Sequence, residues 1–272
     1  MSVTTARSDQ HSLGRLGHPF RKVGRSTRGG RVVETGSLLA GVLIWEALGR
    51  LLQLPWLPPF SACVGALIEL TREGLILPDL LDSIVALGQG FLGALVVSLA
   101  LAFLMAEFEL VNLAVGPYVY ALFLLPSIAL APVFLALFGI DNATRIAVIF
   151  TYCVFYMTIN FHTAFTQRNP DLVEMVSSYQ ASRWQRIWFL VVPMALPLVM
   201  ATLRVGLGRA VKGMINGEQF IAVYGLGGLI QKFGGQFAAD KVFGVILVIV
   251  ALALMLDVVT RGLDRRWTRW AG

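Results

Sequence analysis

The sequence predicts an all-α integral membrane protein with six membrane-spanning helices. Of its 272 residues, 57% are hydrophobic and 14% are charged, whereas only about 45–50% of the residues of a soluble domain are apolar. Several apolar runs approach the length of about 20 residues that a helix needs to cross the hydrocarbon core. These runs show no alternation at strand period, and a helix satisfies its own backbone hydrogen bonds in lipid. The spans are therefore predicted to be helical.

The positions and orientation of the spans follow from apolar runs and from their flanking cations. The predicted spans lie near residues 36–52, 84–106, 116–138, 143–165, 194–219 and 241–262. Cytoplasmic loops of membrane proteins hold an excess of Lys and Arg. The first 35 residues contain seven of these cations and residues 261–269 contain four. Both termini are therefore predicted to be cytoplasmic, which requires an even number of spans.

The amino-terminal region differs in composition from the rest. Residues 1–33 are polar and basic, and we expect a disordered cytoplasmic tail that contacts anionic membrane lipid, followed by a transmembrane permease domain at 34–272. The net charge of +6 is explained by membrane topology, since the cations flank the spans. No nucleic-acid partner is predicted.

No motif for chemistry on this chain is present in the sequence. Cys63 and Cys153 are predicted to be reduced and unpaired, and no CxxC or HExxH spacing suggests a metal site. A phosphate-binding loop and a GxSxG nucleophile motif are also missing from the sequence. We therefore expect a protein that is not an enzyme and that binds no cofactor itself.

One surface-like stretch, EMVSSYQASRWQRIWFLVVP at residues 174–193, separates two apolar spans. A helix is predicted to begin at Asn169, and Ser182 with Gln185 forms a capping-box pattern that predicts a second helix ending at Pro193. Both helices would be short, amphipathic and cytoplasmic. Two interpretations of their apolar faces remain open, namely burial in the lipid interface or in a groove of a partner protein.

This stretch resembles the cytoplasmic signature of permease subunits of binding-protein-dependent ATP-binding cassette (ABC) importers. That signature is EAA, three residues, Gly, nine residues, Ile, one residue and Leu-Pro. The corresponding positions, with the spacing intact, are Glu174-Met175-Val176, Gln180, Leu190 and Val192-Pro193. Further phrases similar to the nitrate, sulfonate and taurine branch are PPFSACVGALIEL, LPLVMATLRVGLGRA, GEQFIAVYGLGGLIQ and VFGVILVIVALALMLD. The similarity extends from about Pro58 to Trp270.

The resemblance implies a type I importer permease, with a core of five helices and an additional amino-terminal helix. Two copies would enclose the path as a homodimer in the bacterial cytoplasmic (inner) membrane. Two cytoplasmic ABC ATPases, which bind ATP and Mg, would drive transport, and an extracytoplasmic solute-binding protein would deliver a small, frequently anionic solute of the nitrate, sulfonate, taurine or carboxylate type. The alternative function is an ATP-independent channel or secondary carrier.

The same resemblance implies that the surface-like stretch docks onto the ATPase. The implied coupling residues are Glu174, Gln180, Ala181, Ser182, Arg183, Trp184 and Pro193. Gln180 departs from the family pattern, in which a Gly accepts positive φ at the turn between the two short helices. A left-handed conformation costs a Gln about 1 kcal/mol or more, so we expect the turn or the ATPase groove to differ here.

Polar residues inside the predicted spans indicate a substrate path, because each is costly in lipid unless it faces a cavity or a partner. In the fifth span, Lys212, Asn216 and Gln219 recur at i, i+4 and i+7 and so share a helix face. A second group, repeated every four residues in the fourth span, is Tyr152, Tyr156 and Asn160. The two groups are predicted to line one cavity.

The cations of the fifth span have alternative interpretations. Lys212 either lines the cavity and attracts an anionic solute or forms an internal salt bridge, for which Glu218 is the nearest candidate. Arg204 and Arg209 match family positions on the same helix, and structural pairing is the favoured interpretation for both.

Two backbone features complete the prediction. The segment YGLGGLIQKFGGQF at residues 224–237 is rich in glycine for a helix and resembles the external loop of the family, which implies a loop that is either re-entrant or plainly flexible. Pro126 and Pro132 are expected to bend the third span.

Overall fold

The computed structural model describes residues 28–167, 175, 178, 182–221 and 223–267, and this part of the chain contains only helices and the turns between them. Its α-helices are α1 (Arg28–Leu52), α2 (Phe60–Arg72), α3 (Ile76–Glu107), α4 (Glu109–Leu124), α5 (Ala131–Phe138), α6 (Asn142–Thr166), α7 (Arg183–Arg186), α8 (Val192–Ile221), α9 (Gly225–Gly235) and α10 (Ala239–Trp267). A 3₁₀ turn, Ser127–Leu130, precedes α5, and a π-helical turn, Ile187–Val191, joins α7 to α8.

The chain divides into two units between Trp45 and Glu46. The first contains most of α1, which begins at Arg28, inside the predicted tail; residues 1–27 lie outside the described part. Leu38 and Leu43 on this helix are exposed, as expected for side chains that face lipid. The second unit, Glu46–Gly272, contains α2 to α10.

Five helical segments of the described chain are long and apolar enough to cross a membrane: Thr35–Leu52, Ile76–Glu107, Asn142–Thr166, Trp184–Ile221 and Ala239–Gly262. The pair Glu109–Leu124 and Ser127–Phe138 makes a sixth if it is counted as one span, and it is bent by 98°. The expected bend is therefore present, and it divides the predicted span 116–138 between two helices. Pro126 disfavours helical geometry at the preceding residue, and Leu125 is accordingly extended.

The centre of the second unit lies where α6 packs against α3 on one side and α8 on the other. A Cβ atom on Gly90 of α3 would lie 2.7 Å from Ile149 Cβ, and one on Gly213 of α8 would lie 3.0 Å from Ile149 Cα. Met157 and Phe161 are fully buried along the same helix. Small residues let helix backbones approach closely in membrane proteins, so the glycines hold α6 tightly between its two neighbours.

The glycine-rich segment forms a helix, α9, so the expectation of a loop is wrong. Leu226, Leu229 and Phe233 recur at helical spacing and are buried in the central core. Each Gly in a helix costs about 1 kcal/mol relative to Ala, and the burial of these three side chains outweighs that cost. Tertiary packing rather than local propensity determines this element.

The capping box that the sequence predicts is present. The N–H of Ser182 donates to Gln185 Oε1 (2.8 Å), and the N–H of Gln185 donates to Ser182 Oγ (3.3 Å). Pro193 does not end the helix, contrary to the prediction, because the chain continues from α7 through the π-helical turn into α8. The N–H of Val192 already donates to Ile187 O, five residues back. The hydrogen-bond pattern of the α-helix, from each N–H to the carbonyl four residues back, is therefore interrupted next to Pro193, which has no N–H to donate.

Helix α2 is too short to span a membrane and was not predicted. The N–H and Oγ of Ser61, in its first turn, donate to Glu46 at 2.9 Å each, so a carboxylate of α1 satisfies a helix start that would otherwise lack partners. Cys63 and Cys153 are free and buried, which confirms the prediction that they are unpaired. Burial raises the pKa of the Cys63 thiol, so this cysteine is unreactive at neutral pH.

Candidate functional site: the polar face of α8

Helix α8 carries a polar face along an otherwise apolar and glycine-rich segment. Four residues three or four positions apart form it: Arg209, Lys212, Asn216 and Gln219. Residues at this spacing lie on one side of a helix. Lys212 is exposed in the single subunit, and the other three are partly buried. The face therefore follows the edge between the packed and the open sides of α8.

A glycine seam determines where this face lies. Gly206, Gly213 and Gly217 of α8 face α6, and a Cβ atom on Gly206 would lie 3.1 Å from Met157 Sδ. One on Gly213 would lie 3.0 Å from Tyr152 Cβ. The two helices therefore meet along the seam, and the adjacent polar face of α8 is brought against the tyrosines of α6.

The first contact on the polar face joins Asn216 to Tyr152. Asn216 Nδ2 donates to Tyr152 Oη at 2.6 Å. The phenolic hydroxyl accepts this hydrogen bond, so its own proton remains available to another acceptor. Two residues that the sequence assigns separately to the path are thus adjacent.

The second contact surrounds Arg209 with aromatic rings. Its guanidinium lies 4.2 Å from the centroid of the Tyr156 ring and 5.6 Å from that of Phe123, within cation–π distance. Among the described residues, no carboxylate forms an ion pair with Arg209. Structural pairing, which the sequence favours for both arginines, holds for Arg204, which lies 2.7 Å from Asp257, but not for Arg209.

Lys212 lies one helical turn beyond Arg209 and likewise forms no ion pair with a carboxylate of the described chain. Glu218, its candidate partner, is fully buried and lies 3.7 Å from Arg145 instead. Six positions along an α-helix place two side chains about 120° apart, so Lys212 and Glu218 lie on different sides of α8. Two cations thus lie on this face without an anionic partner in the described chain.

The remaining two predicted path residues lie away from this centre. Asn160 Nδ2 donates to the backbone oxygen of Tyr156 at 2.8 Å, within its own helix. Gln219 lies beyond Asn216, at the other end of the face. Because α6 and α8 run antiparallel, Asn160 and Gln219 lie near opposite ends of the contact and do not meet.

A second charged group, which sequence reasoning missed, lies at the end of the bundle where α3 and α6 begin and α8 ends. Arg145 Nη1 lies 2.6 Å from Asp82 Oδ2 and 3.7 Å from Glu218 Oε1, and Arg145 Nη2 donates to Asn142 Oδ1 at 2.7 Å. Asp82, Arg145 and Glu218 are called the Arg145 cluster here. The signal available in the sequence was one Arg and two acidic residues in or beside apolar runs. That signal does not by itself show which helix ends meet.

The predicted coupling segment is described only in part. Residues 169–174, 176, 177 and 179–181, which include the predicted helix start at Asn169 and the coupling residues Glu174, Gln180 and Ala181, lie outside the described part, as does the side chain of Arg183. Trp184 is 67% exposed, and the neighbouring Trp188 and Phe189 are 60% and 81% exposed. Large apolar side chains thus project from the start of this helical run in the single subunit.

Neither charged region resembles a metal centre. Across the described residues, no three His, Cys, Asp or Glu side chains are grouped so that they could hold a metal ion.

The comparison with protein families decides the class. The family model of the binding-protein-dependent transport system inner membrane component matches residues 94–269, which is more than half of the chain. The chain belongs to this family. It is a membrane-embedded permease subunit of an ABC importer, and the family implies ATPase and solute-binding-protein partners.

Relatives with named solutes match this permease at moderate identity. The taurine transport system permease protein of Escherichia coli is 31% identical over 54% of this chain and 54% of its own length. The formylaminopyrimidine transport permease protein of Halalkalibacterium halodurans is 30% identical over 79% of this chain and 86% of its own length. The putative aliphatic sulfonates transport permease protein of Bacillus subtilis is 26% identical over 86% of this chain and 87% of its own length.

A solved structure supports the fold. A chain of the MetNI methionine ABC transporter, in an inward-facing conformation, matches with a TM-score of 0.56 and 18% identity, over 70% of this permease and 93% of that chain. The type I permease fold that the resemblance implies is confirmed.

Proposed function

We propose that this permease, paired with a second copy of itself, forms the translocation path for a small anionic solute. The observation that carries the proposal is the polar face of α8, on which Arg209 and Lys212 lie one turn apart and form no ion pair with a carboxylate of the described chain. A solute anion is the partner that such a face lacks.

The energetic cost of these cations supports a functional role. A Lys at the centre of a membrane helix costs roughly 2.5–3.5 kcal/mol on insertion scales, and such a residue is retained where it faces a water-filled path or a partner. The rings beside Arg209 stabilise its charge without neutralising it. In a medium of low dielectric constant, both charges attract an anion more strongly than they would in water.

The orientation that we propose puts both termini and the segment 169–193 in the cytoplasm of a bacterium, and α9 with the Arg145 cluster at the extracytoplasmic surface. The cations of the two termini support it, because such residues are retained on the cytoplasmic side. The basic tail would then lie against anionic lipid of the inner membrane.

The coupling segment is proposed to dock onto the ATPases. Trp184 and Trp188 are exposed in the single subunit, and a groove in a partner would bury such side chains. ATP and Mg would be bound by those partners and not by this chain. ATP binding there would shift the dimer between inward-facing and outward-facing states, with α6 and α8 moving as one body along their glycine seam.

The solutes of the relatives are compatible with this proposal but do not decide it. Taurine and aliphatic sulfonates carry a sulfonate group, whereas formylaminopyrimidine and riboflavin, the solutes in the names of two other relatives, carry no fixed anion. The charge of the solute is therefore argued from the cations of this chain. The solute itself would be selected by the binding protein.

The test is solute-dependent ATP hydrolysis by the assembled transporter. The permease would be purified with its ATPases and binding protein, identified by mass spectrometry of the complex, and reconstituted in liposomes. Taurine, an alkanesulfonate, benzoate and nitrate would be compared with riboflavin. Stimulation by at least one of the four solutes that carry an anionic group and not by riboflavin supports the proposal, whereas stimulation by riboflavin alone contradicts it.

The coupling assignment has its own test. Glu174→Arg should leave the membrane fold intact, because the residue is predicted to be cytoplasmic, and should weaken ATPase association or uncouple hydrolysis from uptake. Co-purification and uptake measure the two effects. Normal association together with normal uptake would show that Glu174 does not contribute to docking.

A further inference from the structure

The start of α9 is capped by side chains from two other helices. The N–H groups of its first three residues donate in turn to Asp79 Oδ1 (3.0 Å), Ser83 Oγ (3.0 Å) and Glu218 Oε2 (2.9 Å). The first N–H groups of a helix have no partner within it, and the residue before α9 provides no side-chain cap. Helix α9 therefore depends on α3 and α8 for its first hydrogen bonds.

Glu218 connects this cap to a buried charge. Its side chain is fully buried, and a carboxylate at such a position is costly unless it is paired and hydrogen-bonded. Arg145, 3% exposed, provides the opposite charge at 3.7 Å. The same guanidinium lies 5.3 Å above the ring of Tyr224, the residue that precedes α9. One ionic cluster thus joins α3, α6 and α8 to the beginning of α9.

The glycines at this helix start permit direct backbone contact. Gly225 has φ of +74°, and a Cβ atom there would collide with Glu218 Oε1 and lie 2.6 Å from Ser83 Oγ. A Cβ atom on Gly227 would lie 2.7 Å from Ile215 O of α8. No side chain separates the two helices, so a displacement of α8 acts directly on α9.

We propose that Glu218 is a positioning residue that fixes α9 to α8, so that α9 follows the path helix when the transporter changes state. In the proposed orientation α9 lies at the extracytoplasmic surface, where a solute-binding protein docks. Docking there and the opening of the path at α8 would thus be linked through one carboxylate. This inference rests on the proposed function for its orientation and its ATP-driven motion.

The anchoring is tested first on the permease alone, in lipid nanodiscs, by amide hydrogen exchange. Glu218→Gln keeps the size of the side chain and an acceptor for Gly227 but removes the charge opposite Arg145. Exchange at residues 225–227 should rise about tenfold, because a hydrogen bond to a charged acceptor is stronger than one to a neutral acceptor. Exchange in α6 should not change.

The matched control is Asp257→Asn, which removes a carboxylate paired with Arg261 and with Arg204, in the half of α8 that does not contain Glu218. It should leave exchange in α9 unchanged. If Glu218→Gln does not fold, Ser83→Ala removes one acceptor only and should raise exchange at Leu226 alone. If the variant that folds shows the same amide hydrogen exchange in α9 as the parent protein, the proposed anchoring of α9 is wrong.

The linkage is tested in the complex with the ATPases. Spin labels would be attached at Lys232→Cys on α9 or at Val205→Cys on α8, both exposed positions, while the native cysteines are buried. Distances between the two copies would be measured without nucleotide and with ATP and vanadate. In the parent protein, the distance between the two copies should change for both labels. In the Glu218→Gln background, only the distance between the α8 labels should still change.

Three outcomes contradict this expectation in distinguishable ways. An unchanged shift of the α9 label in Glu218→Gln overturns the positioning role. Loss of both shifts in that variant shows that Glu218 acts on the fold as a whole, which also overturns it. No shift of either label in the parent protein overturns the proposed ATP-driven motion and, with it, the linkage.

Discussion

The two arginines at the packing interfaces of α6 have opposite environments. Arg145 lies within 4 Å of the carboxylates of Asp82 and Glu218. Arg209, toward the middle of α8, contacts the rings of Tyr156 and Phe123 and forms no ion pair in the described chain. The charge of Arg145 is balanced by carboxylates of the same subunit, whereas the charge of Arg209 is not balanced by a carboxylate of the described chain.

Under the proposed function, this difference separates a cation that stabilises the fold from a cation that attracts the solute. A buried charge whose partner is fixed contributes to the arrangement of helices, and removing it leaves the partner stranded. A charge stabilised only by rings is held in place while it remains attractive to a mobile anion. Replacement by Met should therefore mainly reduce stability at Arg145 and mainly reduce uptake at Arg209.

The largest expected effect is on stability. Arg145→Met leaves the buried carboxylate of Glu218 unpaired and should lower the free energy of unfolding by about 3–5 kcal/mol. Arg209→Met strands no carboxylate, so its effect should stay below about 1 kcal/mol. Thermal unfolding of the purified dimer in one detergent measures both.

Uptake should show the reverse order for those two variants. Arg209→Met should assemble normally and transport its anionic solute poorly, whereas the transport loss of Arg145→Met should follow the amount of folded protein. Equal destabilisation by the two substitutions would show that Arg209 has a fixed anionic partner in the assembled dimer. The contrast between the two sites would then be lost.

The next effect concerns Lys212. Lys212→Met keeps the length of the side chain and removes the insertion cost of a cation, so expression should be at least as high as that of the parent. Uptake of the anionic solute should fall about tenfold, which corresponds to about 1.4 kcal/mol of lost attraction. Uptake into proteoliposomes, normalised to incorporated protein, provides the measurement.

Arg72→Met is the control for Lys212→Met, because Arg72 is an exposed cation at the end of α2, a helix that provides no residue of the polar face. It should transport at the parental rate. Parental uptake by a stable Lys212→Met protein would exclude Lys212 from the path. A loss of dimer stability before any loss of uptake would indicate a salt bridge that forms only in the assembly.

The sequence was sufficient for three of the four residues of the polar face but not for Arg209 or for the surroundings of the face. The period that joins Lys212 to Asn216 is visible within one helix, because residues four apart share a side. The contact of Asn216 with Tyr152 depends on the register between α6 and α8, which the glycine seam determines through close packing. The rings beside Arg209 come partly from Phe123, on a third helix, so no pattern within α8 distinguishes Arg209 from the paired Arg204.

The same limit explains the errors in the fold. Apolar runs indicate spans directly, so the spanning segments were predicted closely, and Pro126 marked the bend. The glycine content of 224–237 argued against a helix because propensity is local, whereas the burial of Leu226 and Phe233 that stabilises α9 is tertiary. Arg145 and Glu218 are 73 positions apart in the sequence, and no local pattern connects them.

The smallest predicted effect tests the hydrogen bond on the polar face. Tyr152→Phe removes the acceptor of Asn216 Nδ2, 2.6 Å away, together with a hydroxyl proton that could reach a passing anion. Both groups are partly buried, so water replaces part of the lost interaction. A hydrogen bond of this kind contributes about 1 kcal/mol, and uptake should fall about fivefold with little change in unfolding temperature.

Tyr156→Phe is the control for Tyr152→Phe, since it keeps the ring that contacts Arg209 and removes only a hydroxyl. The cation–π contact depends on the face of the ring, so uptake by Tyr156→Phe should stay near the parental rate. If both variants transport normally, the hydroxyl of Tyr152 does not contribute to the path and Asn216 is held by packing alone. If Tyr156→Phe is the more impaired of the two, Arg209 depends on the hydroxyl of Tyr156 rather than on its ring, and the distinction between an arginine held by rings and one held by polar partners fails at this site.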